Sequence, residues 1–210
     1  MTTGDQKQLL CWLDLETTGT DEHADFLLEI ACVVTEPIPP FLEVPGVSRF
    51  EGVVLPPAGW HDRLAENKVV LPMHENNGLC EAVARRGGPI DDVASSCVDF
   101  LHRFELPLRL AGSGVSHFDR RWLKAVMPEV ERCFDYPSMD VGCVRRLMKY
   151  AGRDDLIPPE GELPHRALGD ALRHAEEFRR YARVIQDVHP KRPRFTLSSI
   201  LVARGFVKAK

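Results

Sequence analysis

No run of the sequence approaches the apolar length that a bilayer-spanning helix needs, so a membrane protein is not expected. The opening stretch "MTTGDQKQ" has no signal-peptide pattern, which points to the cytoplasm. No CxxC pair occurs among the six cysteines at 11, 32, 80, 97, 133 and 143, and several sit in apolar runs such as "LLCWL" and "IACVV". That scatter argues for buried, reduced thiols rather than a disulfide framework or a zinc site. Basic residues are not in excess: 27 Lys and Arg against 31 Asp and Glu leave a formal net charge of −4. Broad, charge-driven coating of a long nucleic acid is thereby disfavoured, while a small or single-stranded substrate held at one focused site is not. Internal repeats and low-complexity tracts are also lacking. What remains is a 210-residue chain, 44% hydrophobic and 28% charged, long enough to bury one sizeable core.

Element types alternate along this chain. "LLCWLDL" (9–15) reads as a nearly continuous apolar strand, the kind found where a sheet is covered on both faces. "FLLEIACVVT" (26–35) is a second strand, ended by a Pro-rich stretch, and "SRFEGVVL" (48–55) a third. "PIDDVASSCVDFLHRF" (89–104) is helical, with Val93, Cys97, Phe100 and Leu101 on one face and acids in the first turn. "PLRLAGSG" (107–114) is a short strand entering a loop, and "FDRRWLKAVMPEV" (118–130) is helical up to Pro128. "MDVGCVRRLMKYAG" (139–152) forms a helix closed by Gly152, and 167–187 carries the longest helical pattern. Strands first, then strands alternating with helices, predict an α/β domain with a mixed sheet. The tail "KRPRFTLSSILVARGFVKAK" holds six basic residues and reads as a terminal extension or a packing segment.

Chemistry enters at "LLCWLDLETTGTD". Asp14 and Glu16, at i and i+2 of a strand, point to one face a few ångströms apart. In an apolar setting such a pair repels, and one member tends to stay protonated. Three later stretches bring further candidates. Asp119 in "SHFDRRWLK" sits at a loop-to-helix junction, as a site acid or a helix N-cap. Asp140 in "YPSMDV" reads as an N-cap. In "LPHRALGDALRHAEEF", His165 and Asp170 are about 140° apart on an ideal helix. They converge if Pro164-His165 precedes the helix and Asp170 lies in its early turns. Asp170 could equally pair with Arg166, Arg173 or His174 at helical spacing.

Taken together, Asp14, Glu16, Asp119, His165 and Asp170 form the ordered pattern D-x-E … D … H-x(4)-D. With "WLDLETTGTD", "HFDRRWL" and "HRALGDA", the chain resembles the DEDDh family of 3′→5′ exonucleases, whose three motifs these match. Within that family it is most similar to the oligoribonucleases, through "DLETTG", "MHENNGL" (73–79), "FDRRWL", the segment from Tyr136 to Asp140, and "HRALGD". The resemblance runs from about residue 9 to 185. It implies a ribonuclease H-like α/β fold, an exonuclease domain at 9–187, an N-terminal extension at 1–8 and a basic tail at 188–210.

It also implies a metal-dependent hydrolase that releases nucleoside 5′-monophosphates from short single-stranded RNA. Phosphodiester hydrolysis needs an activated water, charge neutralisation and a stabilised leaving oxygen, which two divalent cations can supply. Hard Mg²⁺ or Mn²⁺ prefers carboxylate oxygen, so Asp14, Glu16, Asp119 and Asp170 are the expected ligands. His165 is the expected general base, imidazole being the side chain best suited to proton transfer at neutral pH. The resemblance further implies substrate contacts from Thr17, Gly19, Thr20 and His74, and a homodimer in which Tyr136 caps the partner's site. Thr20 stands where the oligoribonucleases usually have a Leu against the bases, and Pro137 where an Arg gripping the terminal phosphate is usual. Both departures weigh against a strict dinucleotide preference. Single-stranded DNA as substrate, or a non-catalytic module of the same fold, are the alternatives.

Overall fold

In the computed structural model, which describes residues 8–159 and 165–188, five strands form one mixed sheet. The strands are β1 (Leu10–Thr17), β2 (Leu27–Thr35), β3 (Arg49–Val53), β4 (Leu108–Gly112) and β5 (Phe134–Asp140), in the spatial order β3-β2-β1-β4-β5. β2 is antiparallel to both β1 and β3, whereas β4 is parallel to β1 and β5 parallel to β4. The helices are α1 (Trp60–Glu66), α2 (Val70–Asn76), α3 (Leu79–Arg86), α4 (Ile90–Leu101), α5 (Asp119–Val126), α6 (Pro128–Glu131), α7 (Val141–Tyr150) and α8 (Ala167–Val188). The mixed sheet with flanking helices is the α/β architecture expected from the sequence. None of the described helices is long and apolar enough to cross a membrane.

The run of apolar residues in β1 and β2 is explained by cover on both faces. Cys11, Leu13 and Leu15 of β1 join Ile30, Cys32 and Val34 of β2 in a core closed by Cys97, Phe100 and Leu101 of α4 and Trp122 and Leu123 of α5. Leu10 and Trp12 point the other way, into a second core with Val33, Val141 of α7, and Ala171, Ala175 and Tyr181 of α8. A smaller cluster of Leu28, Val53, Leu79 and Val83 attaches α3 to the β2–β3 edge.

Several expectations shift in detail. The strand β5 covers a segment to which the sequence pattern assigns no element before the helix at 139–152. Its Pro137 obscures the strand pattern, yet β5 is an edge strand, where a missing N–H is tolerated. Helices α1 to α3 have no counterpart in the sequence reading, because they are 7, 7 and 8 residues long and too short to show a period. Pro128 ends one helix and begins another, α6, which is why the pattern changes there. All six cysteines are free; four are buried as expected, while Cys80 is half-buried and Cys143 exposed. The extension and tail expected at 1–8 and 188–210 lie, apart from residues 8 and 188, outside the described residues.

Candidate active site

Leu10, Trp12, Asp14 and Glu16 share one face of β1, so the two acids continue a row whose first members are buried beneath α7 and α8. Helix α8 crosses that face with Ala167, Ala171 and Ala175 buried, small side chains that allow a close approach to the sheet. At helical spacing beside them come Asp170, in the first turn, and His174. Carboxylate oxygens of Asp14, Glu16 and Asp170 thereby come within 4.8 Å of one another.

Asp119 arrives from the opposite side. Strand β4 pairs with β1 only as far as Trp12. Beyond that point the buried Asp119 carboxylate lies by the backbone N–H groups of Leu15 and of its own residue, which favour its charged form. It is the first residue of α5, whose cap is Phe118, so the N-cap reading of Asp119 does not hold. Asp140 does cap α7, as expected, accepting from Cys143 N at 3.3 Å. It also accepts from Gly114 N at 3.1 Å and Ser116 Oγ at 2.9 Å, tying the loop before Asp119 to the end of β5.

Burial and mutual repulsion make this cluster short of positive charge. The Asp14 carboxyl is held well above the usual range by burial, then by the charges of Asp119, Glu16 and Asp170, with Arg173 opposing. Burial followed by Asp170 and Glu29 pushes Glu16 up to about 9. Burial pushes Asp119 up to about 7, against the backbone N–H groups beside it. Asp170 is raised by burial and eased by Arg173 and His165. Such a site takes up protons or cations readily. His174, buried with Nδ1 at 3.8 Å from Asp14 Oδ1, is lowered to about 4 by burial and by Arg173 and Arg145. It is therefore a neutral imidazole at pH 7.

His165 stands just before α8 with a half-exposed side chain and φ of 34°, a left-handed conformation unusual for a non-glycine. Its Nδ1 is 3.9 Å from Asp170 Oδ2, and its carbonyl accepts from Asn77 Nδ2 at 2.6 Å. The next two residues are clamped by Glu29, which the sheet register places opposite Glu16. Glu29 is fully buried and accepts from Arg166 Nε at 3.0 Å, from Arg166 Nη2, and from Ala167 N at 2.9 Å. This clamp went unread in the sequence, although a lone acid inside the buried strand "FLLEIACVVT" was its signal. Of the three partners open to Asp170, Arg173 is the one that pairs with it, at 3.0 Å. Arg166 turns instead to Glu29, and His174 faces Asp14.

The Thr17–Asp25 turn forms the rim. Thr17 Oγ1 donates to Gly19 O at 2.6 Å, and Arg121 donates to the carbonyl of the exposed Thr20 at 2.7 Å. A Cβ on Gly19 would meet Asp25 carboxylate atoms at 2.3 to 2.7 Å, and that carboxylate is held by Arg63 Nε at 2.7 Å. The turn therefore needs glycine there. His74 is wholly buried on α2; its Nε2 lies 3.0 Å from Thr17 O and 3.9 Å from Glu16 Oε2. Its nearest partners are thus groups of the DxE strand. Tyr136, on the edge strand β5, is 93% exposed, while its carbonyl and that of Asp135 are held by Arg120. Its ring is not gathered into the acidic cluster within one chain.

No family model matches the chain. It is 32% identical over 176 residues to an oligoribonuclease of Leifsonia xyli subsp. xyli, covering 82% of this chain and 81% of that protein. An oligoribonuclease of Photorhabdus laumondii subsp. laumondii is 31% identical over 178 residues, with 82% and 92% covered. One from Neisseria meningitidis serogroup B is 28% identical over 181 residues, with 83% and 91% covered. Among solved structures, Escherichia coli exonuclease I in complex with an oligonucleotide superposes with a TM-score of 0.55 at 17% identity. That match covers 87% of this chain and 43% of exonuclease I, so the chain spans less than half of that protein. The likeness bears out the ribonuclease H-like fold.

Proposed function

The chain belongs to the oligoribonuclease family, and we propose that it is a 3′→5′ exoribonuclease releasing nucleoside 5′-monophosphates from short single-stranded RNA. The observation that carries this reading is the convergence of Asp14, Glu16 and Asp170 within 4.8 Å, the last two buried, with the buried Asp119 near enough for its charge to raise the Asp14 carboxyl. The donor set fits two hard divalent cations, Mg²⁺ or Mn²⁺: all four donors are carboxylates, and their burial leaves them in need of positive charge. Such ions, when bound, supply charge neutralisation at the phosphate and Lewis-acid assistance to the attacking and leaving oxygens.

The protein's own groups do the remaining work. His165, half-exposed at the rim with Nδ1 3.9 Å from Asp170 Oδ2, takes the proton of the attacking water. Asn77 holds the carbonyl of His165 and the Glu29 clamp holds the two residues after it, so the ring is positioned by the fold at the start of α8. Thr17, Gly19 and Thr20 form the lip along which the strand enters, with His74 behind Glu16. The domain extends over 9–187. The chain works as a cytoplasmic homodimer, in which the exposed Tyr136 ring covers the partner's site; the free cysteines and that bare aromatic support this.

The test is digestion of end-labelled RNA and DNA oligomers from two to about twenty nucleotides, with Mg²⁺ or with EDTA, for the wild type and Asp14→Asn. Stepwise release of 5′-monophosphates from RNA, lost in EDTA and in the variant, is expected. Full activity in either condition refutes the metal assignment, and faster cutting of DNA than RNA reassigns the substrate.

A further inference from the structure

We propose that Arg173 is the resident counter-cation of the acidic site: it holds Asp170 when divalent cations are absent and competes with them for that carboxylate. This inference rests on the metal reading above and adds a regulator of metal loading that the motif pattern does not contain.

Four observations lead to it. One turn along α8, Arg173 Nη2 reaches Asp170 Oδ1 at 3.0 Å, the contact that i,i+3 spacing allows. The pair is sheltered, with 9% of the Asp170 side chain and 30% of the Arg173 side chain exposed, so water screens it less than a surface pair. Arg173 Nε is buried with no hydrogen-bond partner, so the guanidinium bears a desolvation cost and is held from one end only. Other arginines around the site are committed elsewhere. Arg166 is bound by Glu29, Arg145 by both oxygens of Glu177, and Arg120 by two backbone carbonyls. Among the described residues, Arg173 has its ion pair with Asp170 alone.

A group placed this way relieves the repulsion among the four clustered acids in the metal-free protein. It also takes an oxygen that a divalent cation needs. The two functions oppose each other, so removing the charge weakens the empty site and strengthens metal binding.

The experiment is calorimetric titration of Mn²⁺ into the wild type, Arg173→Gln, Arg173→Met and Arg173→Lys, paired with thermal unfolding in EDTA and in Mn²⁺. Arg173→Gln and Arg173→Met are expected to bind Mn²⁺ about three- to tenfold more tightly, the range for removing one partner of a sheltered carboxylate. Both should melt lower than wild type in EDTA and gain more from Mn²⁺. Arg173→Lys, which keeps the charge, should stay within about twofold of wild type. Because Met retains the aliphatic stem, agreement between Gln and Met assigns the effect to charge and not to packing. Wild-type binding with unchanged or weaker affinity in both neutral variants overturns the role of Arg173 alone. Absence of Mn²⁺ binding in every protein overturns the metal reading as well.

Discussion

Replacing Glu29 by Ala should unseat the start of α8 and, with it, two site residues that Glu29 never touches. Glu29 is fully buried and accepts four hydrogen bonds, three from Arg166 and one from Ala167 N–H. Removing one partner of a buried ion pair typically costs about 3–5 kcal/mol, because the other charge is left uncompensated. Here Arg166 is 23% exposed and keeps Glu51 at 3.4 Å, which puts the loss at the lower end, about 3 kcal/mol. The freed Ala167 N–H, a helix N-terminal donor, adds roughly 1 kcal/mol. Losing a like charge beside Glu16 returns part of this. The sum of about 3–4 kcal/mol corresponds to a fall in Tm on the order of 10 °C for a chain of this size. Urea and thermal unfolding in EDTA measure it, and a double-mutant cycle with Arg166→Ala isolates the coupling, expected near 2 kcal/mol or more in magnitude. Glu29→Gln keeps an acceptor for Ala167 and should lose about half as much. At a temperature where Glu29→Ala remains folded, kcat should drop further than KM rises, since Asp170 and His165 are displaced rather than the substrate rim. A loss under about 1 kcal/mol, or a coupling near zero, would refute the reasoning.

Two further outcomes follow from the same geometry. Glu16 at about 9 and Asp119 at about 7 hold protons in the folded, metal-free state that the unfolded chain releases near the ordinary carboxylate values. The folded state therefore binds more protons between about pH 5 and 9, and stability in EDTA falls as pH rises through that window. Melting curves at intervals across it should show the decline, and Mn²⁺ binding should release protons, seen as a buffer-dependent heat. A metal-free Tm that is flat or rising from pH 5 to 9 contradicts the picture. If the chain pairs as the proposed homodimer, Tyr136→Ala and Asp14→Asn should each be inactive alone, yet regain activity when mixed, because one site of the hybrid receives an intact Tyr136 and intact acids. The 93% exposure of Tyr136 makes a stability change beyond about 0.5 kcal/mol unexpected. Mixed proteins that stay inactive while exchanging subunits count against the cross-subunit role.

What the linear sequence carried by itself were features with a short period. Alternation along "LLCWLDLET" placed Asp14 and Glu16 on one face of a strand and required that the strand be covered on both sides. The helical spacing after His165 put Asp170 in a first turn, and the Asp140 cap was legible from its place before an apolar helix. Tertiary structure alone chose among chemically equivalent partners. Three basic residues lay within reach of Asp170 in sequence; the crossing of α8 over β1 and β2 turned Arg166 to Glu29 and His174 to Asp14, leaving Arg173 for Asp170. Likewise the sequence leaves Asp119 open between site acid and helix cap, and the fold decides it: Phe118 is the cap of α5, and Asp119 lies near Asp14 beyond the point where β4 stops pairing with β1. Local pattern records period and polarity. Which charge meets which is decided only when elements far apart in the chain are brought face to face, where burial makes each unpaired group costly.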